Sequence, residues 1–143
     1  MDPEEFFGHD LHVIDLRAED RWEAINELVS DAVTIGEIKP EHRESIKAEV
    51  VKRETAMSTG IGFGIAIPHA STNLVSKIVT IVGKSRKGVQ FEALDGQPVH
   101  LVFFFLVPQG EFQKHAHVLA NISKLLHRPE FRQYLKRRFA DGS

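Results

Sequence analysis

The run Ser58-Thr59-Gly60-Ile61-Gly62-Phe63-Gly64-Ile65-Ala66-Ile67-Pro68-His69-Ala70 decides how this chain is read. Alternate glycines break any helix, because each costs backbone entropy there and permits positive φ, so the segment begins as a shaped loop. Ile65-Ala66-Ile67 is short and wholly apolar, which predicts a buried strand, and Pro68 closes it immediately before His69. His69 is therefore expected at a strand end. Beyond it, Ile78–Val82 and Val99–Val107 are rich in β-branched and aromatic residues and nearly continuous in hydrophobicity, the pattern of strands covered on both faces. Asp95-Gly96 marks a turn between them.

Helices flank this block. Trp22, Ile25, Val29 and Ala32 recur at helical spacing behind a capping pair, Asp20 and Glu23, and Gly36 stands where the helix stops. Pro40 suits the first turn of a second helix, whose apolar face carries Ile46 and Val50 and which Arg53 ends. Val118, Ile122 and Leu125 give a third stripe that stops before Pro129, and Phe131, Leu135 and Phe139 give a last one. Helix, helix, strands, helix, helix is the order of an α/β fold, a β-sheet flanked by helices on both faces. With 143 residues and no linker or repeat the chain reads as one domain, 1–143, with residues 1–15 as a candidate N-terminal arm.

Composition excludes several classes of function. Eighteen Lys plus Arg against twenty Asp plus Glu leave a formal charge of -2, which supplies none of the global attraction expected of a nucleic-acid or lipid binder. The longest apolar run, Leu101–Val107, is too short to span a bilayer, and the acidic start, Met1-Asp2-Pro3-Glu4-Glu5, is unlike a secretory signal. A cytoplasmic protein is expected. Without cysteine there is no disulfide, thiolate metal site or thiol nucleophile. Histidine, with eight residues, is the chemistry left.

The glycines at 60, 62 and 64 allow successive N–H groups to converge on phosphate oxygens, and the hydroxyls of Ser58 and Thr59 add donors. An imidazole is largely neutral near pH 7 and offers one ring nitrogen as a nucleophile toward phosphorus, which makes His69 the candidate nucleophile. Arg53 offers a planar, permanently charged fork matched to a phosphoryl group. His115 and His117 follow the long apolar strand and open the next helix, where exposed N–H groups favour an anion; their spacing puts them on different helix faces, which argues against a shared metal. No role is expected for His9, His12, His42, His100 or His127, and the basic stretch from Arg128 to Arg138 is first of all a solvated helix face.

Taken together, Arg53-Glu54 and the Ser58–Ala70 run strongly resemble the active-site signature of the fructose/mannitol-type enzyme IIA of the bacterial phosphotransferase system. The resemblance extends from about Leu16 to Leu135 and includes Phe91-Glu92-Ala93-Leu94-Asp95-Gly96-Gln97-Pro98-Val99. It implies a mixed sheet between helices and a phosphocarrier that needs neither cofactor, ATP nor metal. The implied donor is the phosphohistidine protein HPr or its nitrogen-branch analogue. The implied acceptor is a IIB domain in a sugar-specific chain, or a regulatory protein target in a nitrogen-type one, and the Ser-Thr-Gly-Ile-Gly loop tilts the reading toward the regulatory branch. By the same resemblance His69 is phosphorylated at Nε2, Arg53 is the arginine beside it, and His115 matches the second active-site histidine, with His117 the near alternative. Phe63 and Ala70 depart from the pattern, standing where relatives often carry asparagine and glycine. A non-phosphorylated binding module on the same fold is the reading from a different class.

Overall fold

A computed structural model of the protein describes residues 12–111, 124 and 127–139. In chain order these form β1 (His12–Asp15), α1 (Arg21–Thr34), a 3-10 turn (Pro40–His42), α2 (Arg43–Ala56), β2 (Gly60–Gly62), β3 (Ile65–Ala66), β4 (His69–Thr72), β5 (Val79–Val89), β6 (Val99–Pro108), a second 3-10 turn (Gln109–Glu111) and α3 (Pro129–Arg138). The expected stripe at Val118, Ile122 and Leu125 lies outside the described residues.

The cap of α1 forms as the sequence indicates. Asp20 Oδ1 accepts the Glu23 N–H at 2.9 Å, and the Glu23 carboxylate reaches back to the Glu19 N–H, also at 2.9 Å. One donor that the helix start leaves unpaired, and the N–H just before the cap, are thereby satisfied. Gly36, at φ +81°, takes the chain out of the helix. Pro40 opens the 3-10 turn and not α2 itself, and α2 runs one turn beyond Arg53 because Glu54 and Ala56 are good helix formers.

The sheet is mixed. β1 runs parallel to β5, β5 antiparallel to β6, and β3 and β4 both parallel to β6, while β2 folds back on β3. Residues 12–15 of the expected arm are therefore an edge strand. The pairings Ile65↔Leu101 and His69↔Phe105 share one register, so β3 and β4 are successive parts of a strand that passes through Pro68 without slipping. His69 consequently opens a strand segment, where the sequence suggested a strand end. The proline is tolerated because β2 pairs only with β3, which puts residue 68 at the sheet edge, while its carbonyl still accepts the Phe105 N–H at 3.1 Å.

β6 separates two cores. Val102, Phe104 and Leu106 pack with Ile25, Leu28, Val29, Ile46 and Val50 beneath α1 and α2. Phe103 and Phe105 pack on the opposite face with Phe131, Leu135 and Phe139 at α3. Period-two alternation along a strand that is apolar from Leu101 onward thus feeds helices on both faces. Gly60 ties the loop to this frame: a Cβ there would stand 2.9 Å from Ala93 Cα, a backbone atom that cannot swing aside. Gly60→Ala is expected to cost about 1–3 kcal/mol through overpacking, read as a lowered urea midpoint with unchanged slope.

Candidate functional site

His69 stands where α2 meets the sheet edge, in a cleft of about 350 Å³. The cleft is lined from α2 by Glu49, Lys52, Arg53 and Ala56 and from β4 by His69, Ala70 and Ser71. His69 Nδ1 lies 2.8 Å from the carbonyl oxygen of Ile67. A carbonyl can only accept, so Nδ1 carries the proton and Nε2 keeps its lone pair. The ring is half-buried, and its pKa is held below the ordinary 6.5 mainly by that burial. The Ile67 hydrogen bond pulls the other way, the charge of Arg53 adds to the lowering, and the charge of Glu54 opposes it.

The sign for pH follows directly. A histidine whose folded pKa lies below its ordinary value is neutral through the neutral range and gains its proton only below 6.5. An NMR titration of the His69 ring should show a midpoint under 6.5, and Arg53→Gln should raise that midpoint by removing a repelling charge. A midpoint at or above 6.5 in the native chain would contradict this placement.

Arg53 lies in the last turn of α2 and donates from Nη1 to the Met57 carbonyl at 3.0 Å, which closes the helix end and holds the guanidinium at the cleft. Its neighbour Glu54 does something the sequence reading missed. Only 1% exposed, its carboxylate accepts the Thr59 N–H at 2.8 Å, the Thr59 hydroxyl at 2.5 Å and Arg21 Nη1 at 3.3 Å. The signal was present: Glu54 follows Ile46 and Val50 at steps of four, on the buried stripe of α2.

The phosphate-binding expectations fall differently. The Ser58 hydroxyl makes a short hydrogen bond to the Phe91 carbonyl and accepts the Gly60 N–H at 3.1 Å, and Thr59 is held by Glu54. Gly62, Phe63 and Gly64 take φ of +96°, +59° and +77°, which turns the β2–β3 hairpin. Asp95 Oδ2 pins its tip through the Phe63 N–H at 3.1 Å. None of Ser58, Thr59, Gly60, Gly62 and Gly64 lines the His69 cleft; their hydrogen bonds and turns shape the loop that leads into the strand carrying His69. His115 and His117 lie outside the described residues.

What remains is a half-buried imidazole, one nitrogen anchored and the other keeping its lone pair, with an arginine at the same cleft. The family model for the phosphoenolpyruvate-dependent sugar phosphotransferase system, EIIA 2, matches residues 5–141. The chain belongs to this family. It is 38% identical over 122 residues to the fructose-specific EIIABC component of the phosphotransferase system of Bacillus subtilis, a match that covers 85% of this chain but 19% of that longer protein. It is 32% identical over 111 residues to a nitrogen regulatory protein of Bradyrhizobium diazoefficiens, covering 78% of this chain and 71% of the relative. Among solved structures it resembles the nitrogen regulatory protein IIA-Ntr of Neisseria meningitidis, with a TM-score of 0.76 and 26% identity over 87% of this chain and 84% of that one. It shares the fold of mannitol enzyme IIA of Escherichia coli, solved in complex with phosphorylated mannitol enzyme IIB, at a TM-score of 0.72 and 20% identity over 95% and 90% of the two chains. Both enzyme IIA structures carry the mixed sheet between helices expected here. Among the described residues no helix is long and apolar enough to cross a membrane.

Proposed function

We propose that this EIIA chain is a phosphocarrier that accepts a phosphoryl group on Nε2 of His69 from the phosphohistidine of HPr or a nitrogen-branch analogue, in the cytoplasm, and that its role is regulatory. The observation that carries the chemistry is the Nδ1–H···O=C bond to Ile67, which leaves Nε2 unprotonated and aims the ring from its first strand residue. In the transfer the bond from phosphorus to the donor nitrogen breaks, the donor imidazole departs with that electron pair, and a bond from phosphorus to His69 Nε2 forms. The Nδ1 proton stays on His69, which becomes a phosphorylated imidazolium braced by the Ile67 carbonyl, and the donor ring, protonated at its other nitrogen, leaves as a neutral imidazole, so no proton moves in the transfer step. Catalysis is then positioning plus charge stabilisation, and Arg53 is the cation suited to the equatorial oxygens.

The regulatory assignment is supported by likeness to nitrogen regulatory proteins in both sequence and structure. A phosphoryl group on a half-buried ring adds charge and acceptor oxygens to a protein surface, which is enough to change a partner's affinity. The 38% identity to a fructose-specific chain favours a second reading, transfer onward from His69 to a IIB domain.

Incubation with phosphoenolpyruvate, enzyme I and either donor protein, followed by intact-mass analysis and peptide mapping, tests the first step. One phosphoryl increment on the peptide containing His69 is expected. Mapping to another residue, or no increment with either donor, would overturn it. Arg53→Lys should keep the fold and slow the transfer, because an ammonium cannot reproduce the bidentate fork. Discharge of the phosphorylated chain by one sugar-specific IIB domain would replace the regulatory reading with the sugar-specific one.

A further inference from the structure

A second cavity, of about 320 Å³, lies on the α3 side of the sheet and shares no lining residue with the His69 cleft. Its floor is a single row across four strands. Asp15 of β1 pairs with Lys84 of β5, Lys84 with Leu101 of β6, and Leu101 with Ile65 of β3. Its roof is a stripe of α3, Arg132, Leu135 and Lys136, closed by Phe139 at the helix end. The volume lies at the small end of the range that holds low-molecular-weight ligands.

The chemistry of the lining is divided. Ile65, Leu101, Leu135 and Phe139 present hydrocarbon and an aromatic ring. Lys84, Arg86, Arg132 and Lys136 present four cations, against Asp15 as the one acid that lines it among the described residues. The Arg132 guanidinium is seated 4.1 Å above the Phe63 ring, so part of this charge is held in place. Lys84 is half-buried at the centre of the floor row. A cation there is best satisfied by an anionic group brought in on a body that covers the apolar floor, since apolar walls strengthen the attraction. Inorganic phosphate would leave the hydrocarbon wet, and a neutral apolar compound would strip water from the cations without replacing it.

We propose that this cavity binds a small organic anion, a carboxylate or phosphate ester on a compact apolar body, with the body between Leu101 and Leu135 and the anion at Lys84. The test is a backbone NMR titration of the full chain with four probes: benzoate, phenyl phosphate, benzyl alcohol and inorganic phosphate. Benzoate or phenyl phosphate should shift the amides of Lys84, Ser85, Leu101 and Leu135 saturably, and the stronger of the two identifies the head group. Benzyl alcohol and inorganic phosphate should each bind weaker by about tenfold or more. Lys84→Gln should weaken the preferred anion by about tenfold while the rest of the spectrum is unchanged, and Lys84→Arg should restore most of the affinity. Lys136→Gln, at an exposed position, gives the same comparison if Lys84→Gln perturbs the sheet. Absence of saturable shifts with both anions would overturn the proposal, as would equal binding of benzyl alcohol or undiminished affinity in both glutamine variants.

Discussion

Glu54→Ala should destabilise the fold by about 3–5 kcal/mol, the range for removing one partner of a buried charge pair. The carboxylate is 1% exposed and holds three groups: the Thr59 amide, the Thr59 hydroxyl and the Arg21 guanidinium. Truncation takes the carboxylate from all three at once. Thr59 is itself only 3% exposed, so its N–H has no route to water. Arg21 is left with Glu92, 3.5 Å away and on the surface, and with the Trp22 ring at 4.3 Å, neither of which replaces a buried carboxylate. Glu54→Gln separates the parts of this loss. It preserves volume and one acceptor but gives up the charge facing Arg21, so its cost should be smaller, about 1–3 kcal/mol. Urea unfolding followed by far-UV circular dichroism would measure both. An alanine variant within about 1 kcal/mol of the parent would mean that Glu54 is not what ties α2 to the loop.

The same residue shows how far the sequence could be read. That β6 is covered on both faces was already legible in Leu101–Val107, where every position is apolar; which side chains face which core is seen in the fold. The cap at Asp20, the stripe of α3 and the Ile25, Val29 and Ala32 part of the α1 stripe were legible because neighbouring members lie about one helical turn apart; Trp22, counted in that stripe, is instead 38% exposed, and Leu28 completes the buried face. β1 was not legible, since four residues with an alternating half-exposed pattern carry too weak a signal, and their strand state depends on pairing with β5 more than sixty residues later. β5 also ran past its expected end at Val82. Its second half, Gly83–Val89, is polar, and it is the partnership with β6, through a register shift between Lys84 and Val89, that keeps it extended.

At the site the division is between residue type and residue placement. A histidine and an arginine flanking a glycine-rich run could be singled out because their chemistry is unusual, and the cleft does bring His69 and Arg53 together. Which hydroxyls and amides point at that cleft depends on where α2 and the β5–β6 connection lie, and spacing does not contain this. Ser58 and Thr59 look like donors for a ligand in sequence; in the fold they are donors for Phe91 and Glu54. Pro68, read as a stop, is instead an edge position that a continuous strand tolerates.

His69→Ala is expected to eliminate phosphoryl uptake while leaving the chain folded. The loss should be complete, because nucleophilic attack needs an unprotonated ring nitrogen beside a fixed cation and the described residues offer this combination at His69. His100 makes a useful contrast: its Nδ1 lies 2.8 Å from the Ser85 carbonyl, so it shares the anchored ring, but it is exposed and does not line the cleft with Arg53. If an anchored imidazole were sufficient, His100 would accept phosphoryl in the His69→Ala variant, and the mass increment would persist on a different peptide. Stability should change little, since the substitution removes one hydrogen bond worth about 1 kcal/mol from a half-buried ring. Its pH dependence should change in a definite direction. In the parent chain the unfolded state takes up the His69 proton more readily than the folded state, so this group's contribution is present above 6.5 and is lost as pH falls through the lower folded pKa. The alanine variant lacks that loss. Its stability relative to the parent should therefore rise as the pH is lowered from 6.5, and a difference that stays flat would show that burial does not hold the ring neutral in the way the proposed nucleophilic role requires.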